Sequence, residues 1–315
     1  MALGTRYIPD VLGVKIIKET TPGTYLSPTT AIYLERGAKP PKVTFQKIEN
    51  DPMAPTSGTK YEETSPFGAT IEYEFTQKMP SDKTKFSTLL EACNFVGTAV
   101  TGPDGTSYQL ETFATSTISA DWISPRQTTK GSGGKGAFTF KGETGKPIEV
   151  GYKFNFNYKE ETVLAAAADD NTIPFEDVPG LLFIADGNCS SYTINGVSGH
   201  FTSFEIDWGA EIQTTEDDVC PMPNYVSSYA PTLKISQKLT EEWEASWDQL
   251  TAGATSNIVI GLFDKSGTKK GEIRIPKAMP NDNEPDAKNG RYVTTRTFAC
   301  RPTNGDDNVQ IVMFD

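Results

Sequence analysis

The chain has 315 residues, with 29 basic and 41 acidic side chains and a formal net charge of −12. This length fits two domains of ordinary size, each with its own core. The acidic balance argues against tight binding of nucleic acid, which depends on lysine and arginine. No apolar stretch has the length of a membrane span, and Met1-Ala2-Leu3-Gly4-Thr5-Arg6 is unlike a secretory leader.

The content of glycine (27 residues), proline (21), threonine and aromatic residues predicts a mainly β chain with many turns. Four cysteines are scattered, without a CxxC pair, and favour reduced thiols over a disulfide framework: Cys93, Cys189, Cys220 and Cys300.

The first half opens with an N-terminal arm to Gly13, followed by short strands at 14–18, 31–34 and 43–45. A long loop, 49–67, leads to a strand at 69–79 in which Ile71, Tyr73 and Phe75 alternate with Glu72 and Glu74. This alternation predicts that the two glutamates face outward.

After this strand, the spacing of the apolar residues changes from every second residue to the 3.6-residue period of a helix. Ser81 or Asp82 is a suitable N-cap for a helix. One face of that helix carries apolar residues at Phe86, Leu89, Leu90 and Cys93.

The second half follows the same order. Phe204, Ile206, Trp208 and Ile212 alternate with polar residues, and a loop at 214–229 leads to a strand that ends at Leu239. Thr240 is then the predicted N-cap of a second helix, whose buried stripe is Trp243, Trp247 and Leu250.

Each half is expected to end in two strands joined by a glycine turn, at 137–158 and at 297–314. A short helix at 161–170 is expected to join the halves. The glycine-rich segment 131–136 lacks the Ser or Thr and the following helix of a phosphate loop, so it is interpreted as a flexible connector.

Several matches between the halves share one constant offset along the chain. Tyr73–Met79 aligns with Leu233–Leu239, including the pair Gln-Lys in each, and Phe138 and Gly145 align with Phe298 and Gly305 at the same offset. One long period of this kind indicates a duplicated domain. The prediction is two tandem β-sandwich or half-barrel domains, 1–165 and 166–315, each with one packed helix and a long inter-strand loop.

No catalytic, cofactor-binding or metal-binding residues are predicted, and the chain is not expected to be an enzyme. His200 is the one histidine and has no partner motif for a nucleophilic triad. One histidine and dispersed cysteines do not make a zinc site, and the acidic clusters lack EF-hand spacing, so they are read as solvated loops.

The chain resembles the major tail tube proteins of long-tailed bacteriophages, in their two-domain form. Four features carry this resemblance: the opening 14–25, the order strand, long loop, strand and helix, the segment 138–147 leading into the aromatic strand 152–158, and the ending 301–307 before a last strand.

The resemblance implies a structural virion protein whose rings stack into a channel for DNA delivery, assembled in the host cytoplasm. A duplicated chain implies homotrimeric rings with pseudo-sixfold symmetry, with a hexamer as the alternative if the second domain is a decoration. The implied partners are further copies, the tape measure, tail terminator and distal tail proteins, and transiting duplex DNA held without tight binding. No membrane partner is expected.

The same resemblance gives candidate residues. The long loops are expected to reach the neighbouring ring through Asp51, Pro52, Lys60, Tyr61, Asp217, Asp218, Met222 and Tyr225. Glu72, Glu74 and Lys234 are the candidates to face the lumen.

Two other readings stay open. A virion or surface β-sandwich that recognises glycans would remain a closed oligomer instead of polymerising. A hydrolase that uses a carboxylate pair is the remaining reading, but no motif identifies such a pair.

Overall fold

The structure is a computed structural model that describes residues 12–32, 34–35, 38–45, 47–50, 61–64, 68–101, 104–163, 180–185, 192–213, 224–238, 254–288 and 291–315. These residues form a mainly β protein with one α-helix, as the composition predicts.

The first half contains helix α1 (Lys83–Ala92) and eleven described strands. They are β1 (Gly13–Lys18), β2 (Thr30–Ile32), β3 (Lys42–Thr44), β4 (Lys47–Asn50), β5 (Tyr61–Thr64), β6 (Thr70–Lys78), β7 (Phe95–Val100), β8 (Gly105–Leu110), β9 (Ile118–Ile123), β10 (Gln127–Glu143) and β11 (Glu149–Val163).

The second half contributes ten described strands. They are β12 (Tyr192–Ile194), β13 (Val197–Gly199), β14 (Ser203–Asp207), β15 (Glu211–Gln213), β16 (Tyr225–Ser228), β17 (Thr232–Lys238), β18 (Ser256–Phe263), β19 (Lys269–Lys288), β20 (Arg291–Arg301) and β21 (Gln310–Phe314).

One order of seven antiparallel strands occurs twice. In the first half the order is β2-β1-β9-β10-β11-β6-β3, and in the second it is β13-β12-β18-β19-β20-β17-β14. The chain forms a separate two-stranded hairpin at the same place in each half. In the first half this hairpin is β4-β5, between β3 and β6, and in the second half it is β15-β16, between β14 and β17.

The constant offset in the sequence holds for β6 and β17. Gln77 and Gln237 occupy the same place in these strands, both are buried, and each bonds a tyrosine hydroxyl, Tyr152 at 3.2 Å and Tyr192 respectively. A buried glutamine needs such a partner, because an unpaired amide in the core is costly.

The same offset does not match equivalent positions for the other two predicted pairs, Phe138 with Phe298 and Gly145 with Gly305. Phe138 lies in β10, whereas Phe298 lies in β20, which pairs with β17 as β11 pairs with β6. The hairpin β10-β11 therefore corresponds to β19-β20. The offset changes because the segment 79–117, which separates β6 from β9, is much longer than the segment 239–255, which separates β17 from β18.

The final two strands do not form the predicted hairpin. β21 pairs with the start of β19 and with β8, and not with β20. β20 has 11 residues against 15 in β11, so it leaves part of the long strand β19 unpaired, and β21 fills that edge.

Helix α1 begins and packs as its sequence predicts. Asp82 is the N-cap, with its Oδ1 accepting from the Thr84 amide at 2.9 Å. The predicted apolar face is buried: Phe86, Leu89, Leu90 and Cys93. The second predicted helix, with Thr240, Trp243, Trp247 and Leu250, lies outside the described residues.

The joining segment differs from its prediction where it is described. Residues 161–163 continue strand β11 and pair with β10, instead of starting a helix. The rest of 161–170, and with it the boundary at 165, lies outside the described residues.

The glycine-rich segment 131–136 is not a flexible connector. It lies inside β10, is buried, and contains register shifts toward both β9 and β11. Gly133 has φ of 64°, a conformation that favours glycine, and a Cβ on Gly134 would meet the Phe156 ring at 2.2 Å. The glycines are thus explained by a bulge pressed against aromatic side chains.

The buried carboxylate of Glu19 holds this bulge. It accepts hydrogen bonds from the Gly133 amide and the Ser119 hydroxyl, both at 2.7 Å, and from the Thr117 hydroxyl at 2.5 Å and the Gly23 amide at 2.7 Å. Four donors compensate for the lost hydration of this carboxylate.

The two halves share one core. Trp208, which follows β14, is buried against aromatic rings of the first half, with centroid distances of 4.8 Å to Phe95 and 4.6 Å to Phe138. Strand β14 also pairs directly with the end of β10, and β21 pairs with β8. The sheet of the described residues is therefore continuous between the halves.

The short segment 180–185 adds a third junction. The Leu182 amide donates to the Met79 carbonyl at 3.1 Å, and Phe183 exchanges two backbone hydrogen bonds with Phe263 of β18, at 2.7 and 2.8 Å. One extended segment thus connects the end of β6 with the second half.

Replacing Trp208 with alanine is expected to lower the free energy of unfolding by about 3–5 kcal/mol, because it leaves a large cavity between the halves. Both halves should then lose stability together. Denaturant unfolding followed by circular dichroism and by tryptophan fluorescence checks this. A variant in which only part of the signal shifts would contradict a shared core.

Candidate functional surface

The surface that carries the predicted lumen-facing residues is the outward face of the sheet. In β6 the side chains of Ile71, Tyr73 and Phe75 are buried, so Glu72 and Glu74 project from the other face. In β17 the same alternation leaves Lys234 exposed between buried Leu233 and Ile235. The alternation in the sequence predicted these orientations correctly.

Neither glutamate is an isolated negative charge. Lys153 of β11 lies between them, with its Nζ 2.8 Å from Glu72 and 3.0 Å from Glu74, and Lys42 of β3 lies 3.6 Å from Glu72. The hydrogen bond from Lys153 is the main cause that lowers the pKa of Glu72. The bond to Glu72, followed by that to Glu74, raises the pKa of Lys153.

Charges of alternating sign form a row across five neighbouring strands of this face. In order they are Lys78 (β6), Glu149 (β11), Lys141 (β10), Glu205 (β14) and Lys234 (β17), each directly opposite the next in the strand register. We call this row the charge ladder.

Two of its contacts are ion pairs: Lys78 bonds Glu149, and Lys141 lies 2.9 Å from Glu205. Opposite charges on facing strands stabilise the register, whereas like charges there would oppose it. The ladder crosses from the first half to the second, and with three lysines and two glutamates it keeps this part of the face close to charge-balanced despite the acidic chain.

Two grooves lie on the same face. The larger, of about 720 Å³, is lined by the small residues Thr76, Thr139 and Gly151 together with Glu35, Ala38, Lys39, Asp207, Gly209 and Ala210. The smaller, of about 340 Å³, is lined by Lys141, Lys234 and Glu205 of the ladder together with neighbouring residues. Polar side chains of both signs line the grooves, which suits a wetted contact surface.

Most of the predicted inter-ring residues lie outside the described residues, namely Asp51, Pro52, Lys60, Asp217, Asp218 and Met222. Tyr61 begins β5, and Tyr225 begins β16 with 51% of its surface exposed. Both predicted loops thus carry a two-stranded hairpin at their base.

Sequence reasoning missed Asn224, beside that second hairpin. Its side chain is buried and donates to the carbonyls of Gly133 at 3.0 Å and Asn155 at 2.9 Å, which ties the second hairpin to the first half. Lys153 was also missed, although its position between aromatic residues of an alternating strand predicts that it faces outward.

The described histidine and cysteines are not among the residues of the charge ladder. His200 is exposed just after β13, and Cys93 and Cys300 are buried thiols whose pKa is raised by burial. In the part of the chain that the structure describes, no group of three or more His, Cys, Asp or Glu residues is placed to hold a metal ion.

Lys135 is a further buried ionisable group. It lies in β10, bonds Asn94 and donates to the Ala114 carbonyl at 3.0 Å, and burial lowers its pKa to about 8. Asn94 in turn donates to the Tyr229 hydroxyl at 2.8 Å. This chain of contacts links the two halves, and all of its members have structural partners.

No protein-family model matches the chain, and no curated protein matches it in sequence. Among the described residues, no helix has the length and apolar character needed to span a membrane.

Replacing Lys153 with methionine is expected to raise the pKa of Glu72 toward its ordinary value, because the main hydrogen bond that lowers it is lost. Stability should fall by less than about 1 kcal/mol, since the pair is solvent-exposed. Carbon-detected NMR titration of the side-chain carboxyl checks the pKa. Lys130→Met, which removes a distant ion pair with Glu160, is the matched control and should leave Glu72 unchanged.

The lowered pKa of Lys135 predicts that the free energy of unfolding rises at high pH. Its folded-state pKa of about 8 lies below that of an unfolded lysine, so the unfolded chain binds more protons between these values. The free energy of unfolding should therefore rise by up to about 3 kcal/mol between pH 8 and pH 10.5, relative to Lys135→Met. Urea unfolding of both proteins across this range checks it, and parallel pH curves would contradict it.

Proposed function

We propose that this protein is a structural virion protein, the major tail tube subunit of a long-tailed bacteriophage, whose rings stack into a channel for DNA delivery. The observation that supports this most is the repeated order of seven strands, with a hairpin inserted before β6 and before β17. A duplicated strand order with a separate hairpin in each copy is suited to a ring built from repeated units.

Each chain would supply two tube domains of the sandwich or half-barrel type, 1–165 and 166–315. Three chains would then form a ring with pseudo-sixfold symmetry. A hexameric ring, with the second domain as an outer decoration, is the alternative. The shared core around Trp208 and the pairing of β14 with β10 favour the trimer, because a decoration domain would not need to share a core with its carrier.

The outward face with the charge ladder is the proposed lining of the channel. Two of the ladder's three lysines, Lys78 and Lys141, are ion-paired with carboxylates, so the row offers few unpaired cations to the phosphates of passing DNA. Glu72, Glu74 and Lys234 would be lumen residues in this arrangement. Tape measure, terminator and distal tail proteins would be the other partners, and the assembled protein would reside in the virion tail.

The hairpins give a direct test of stacking. Asn50 pairs with Tyr61, so residues 51–60 can be replaced by Asn-Gly, which closes a two-residue turn. Residues 214–223 can also be replaced by Asn-Gly. Gln213 pairs with Tyr225 and Asn224 stays in place, so the connection there has three residues. We expect both variants to form rings but not long tubes, as seen by negative-stain electron microscopy.

End-on views in the same experiment test the ring number. Threefold rings with six similar lobes are expected for the wild-type protein. Long tubes from either shortened variant would contradict the role of the hairpins, and compact particles at every concentration of wild-type protein would contradict the tube itself.

A further inference from the structure

The junction between the two halves joins two equivalent sets of four strands. The first set has the order β3-β6-β11-β10, and the second has the order β14-β17-β20-β19. The last strand of the first set, β10, pairs with the first strand of the second set, β14. The chain therefore makes one contact between the last strand of one set and the first strand of the next.

The two strands that could repeat this contact lie at the outer ends of the combined sets. Among the described residues, β3 pairs with β6 alone, and the end of β19, residues 282–288, pairs with β20 alone. β3 corresponds to β14 in the repeated order, and β19 corresponds to β10. Both components of the internal contact are thus present a second time in each chain.

Strand β19 follows the same course as β10. β10 pairs with β9 up to Gly134 and with β14 from Thr139 onward. β19 pairs with β18 up to Ala278 and then shifts its register against β20 between Pro280 and Asp282. In both strands the end extends past the neighbour that precedes it in the chain. In β10 this free end receives β14.

The strand register identifies the residues of β19 that correspond to the junction residues of β10. Counted from the equivalent glutamines of β6 and β17, the residue opposite on the second strand is Phe140 in β10 and Pro285 in β19. The residue before each of them is Thr139 in β10 and Glu284 in β19. Glu284 therefore corresponds to Thr139.

The same register relates β14 to β3. Asp207 lies opposite the residue five places before the glutamine of β17, and Lys42 lies opposite the residue five places before the glutamine of β6. Lys42 therefore corresponds to Asp207. Because Thr139 lies opposite Asp207 at the internal junction, the equivalent contact places Glu284 opposite Lys42.

The charges of these two residues suit such a pairing. Glu284 and Lys42 are both exposed, and Lys42 lies 3.6 Å from Glu72 in an ion pair. A row from Glu284 through Lys42 to Glu72 would alternate in sign, as the charge ladder does within the chain. Opposite charges on facing strands stabilise a register.

The residues beside this pair are more polar than those at the internal junction. Trp208, which follows Asp207, is buried at 4.6 Å from the ring of Phe138. The equivalents of these aromatic residues are Val43 and Asn283, which are both partly exposed. This difference is expected for a surface that is in water before assembly, whereas the internal junction is a permanent core.

Prolines limit the contact to three residues on each strand. Pro285 follows Glu284, and Pro41 precedes Lys42. Proline has no backbone N–H to donate, so it ends the pairing and also restricts pairing with unrelated strand edges.

We propose that residues 282–284 of one copy pair antiparallel with β3 of the next copy, and so repeat between copies the contact that β10 and β14 make within the chain. This inference rests on the proposed tube function and names the edges that join neighbouring subunits of a ring. Each copy has one edge of each kind, so the contact is head-to-tail and can close a ring.

Disulfide trapping tests this register. Glu284→Cys and Lys42→Cys are combined in one chain, because directly opposite strand residues have Cα atoms about 4.5–5.5 Å apart, within reach of a disulfide. Glu284→Cys with Thr44→Cys, two residues out of register on the same strands, is the matched control. Mild oxidation at assembling concentration is followed by non-reducing gel electrophoresis. Melting temperatures of the reduced proteins establish that each variant is folded.

We expect the in-register variant to form covalent species of up to three chains, with a cross-linked fraction about tenfold above that of the control. A mixture of the two single variants should give covalent dimers, because the bond joins different chains.

Rings or tubes in electron micrographs without this cross-link would overturn the inference while leaving the tube function intact. A cross-link confined to single chains would also overturn it. Wild-type particles that stay single at every concentration would overturn the proposed function, and this contact with it.

Discussion

Strand β10 is the element on which the rest of the structure depends, because it has neighbours in both halves. Along one edge it pairs with β11, and along the other it pairs first with β9 and then with β14. The change of neighbour follows the glycine bulge at 131–136, which the four hydrogen bonds to Glu19 hold in place. The pairing with β9 ends at Gly134, opposite Ile118, and this leaves residues 139–143 of β10 to pair with β14.

Two kinds of interaction then secure the junction. Trp208 supplies buried aromatic area between the halves, and the charge ladder supplies opposite charges at each step of the register from β6 to β17. A slip of one residue would move every side chain to the opposite face, so that the ladder charges entered the core and the aromatic residues entered water. Packing and charge thus specify the same register. The result is a continuous sheet with a nearly charge-balanced face, which is the property that the proposed channel requires.

Local patterns predicted much of the fold. The alternation of Ile71, Tyr73 and Phe75 with Glu72 and Glu74 fixed the orientation of β6, and the Asp82 cap with its apolar stripe predicted α1. In each case the governing interaction is between near neighbours in the chain. Strand pairing is not local, which is why Phe138 and Phe298 were matched incorrectly. Both residues lie in aromatic strands near a glycine turn, but Phe138 lies in the first strand of the hairpin β10-β11, whereas Phe298 lies in the second strand of the hairpin β19-β20.

One property of the candidate surface could be predicted from the sequence and another could not. The outward direction of Glu72, Glu74 and Lys234 follows from period 2 alone, but their ion-pair partners come from strands distant in sequence, so the balance of charge could not be predicted.

By itself the sequence determined the mainly β composition, the faces of individual strands, the one described helix and the recurrence of Gln77 at Gln237. Only the tertiary structure decided that 131–136 is a buried bulge, that Trp208 belongs to a core shared by both halves, and that β21 pairs with β19 and β8. Burial and cross-strand pairing join residues that lie far apart along the chain, and a linear pattern contains no measure of that proximity.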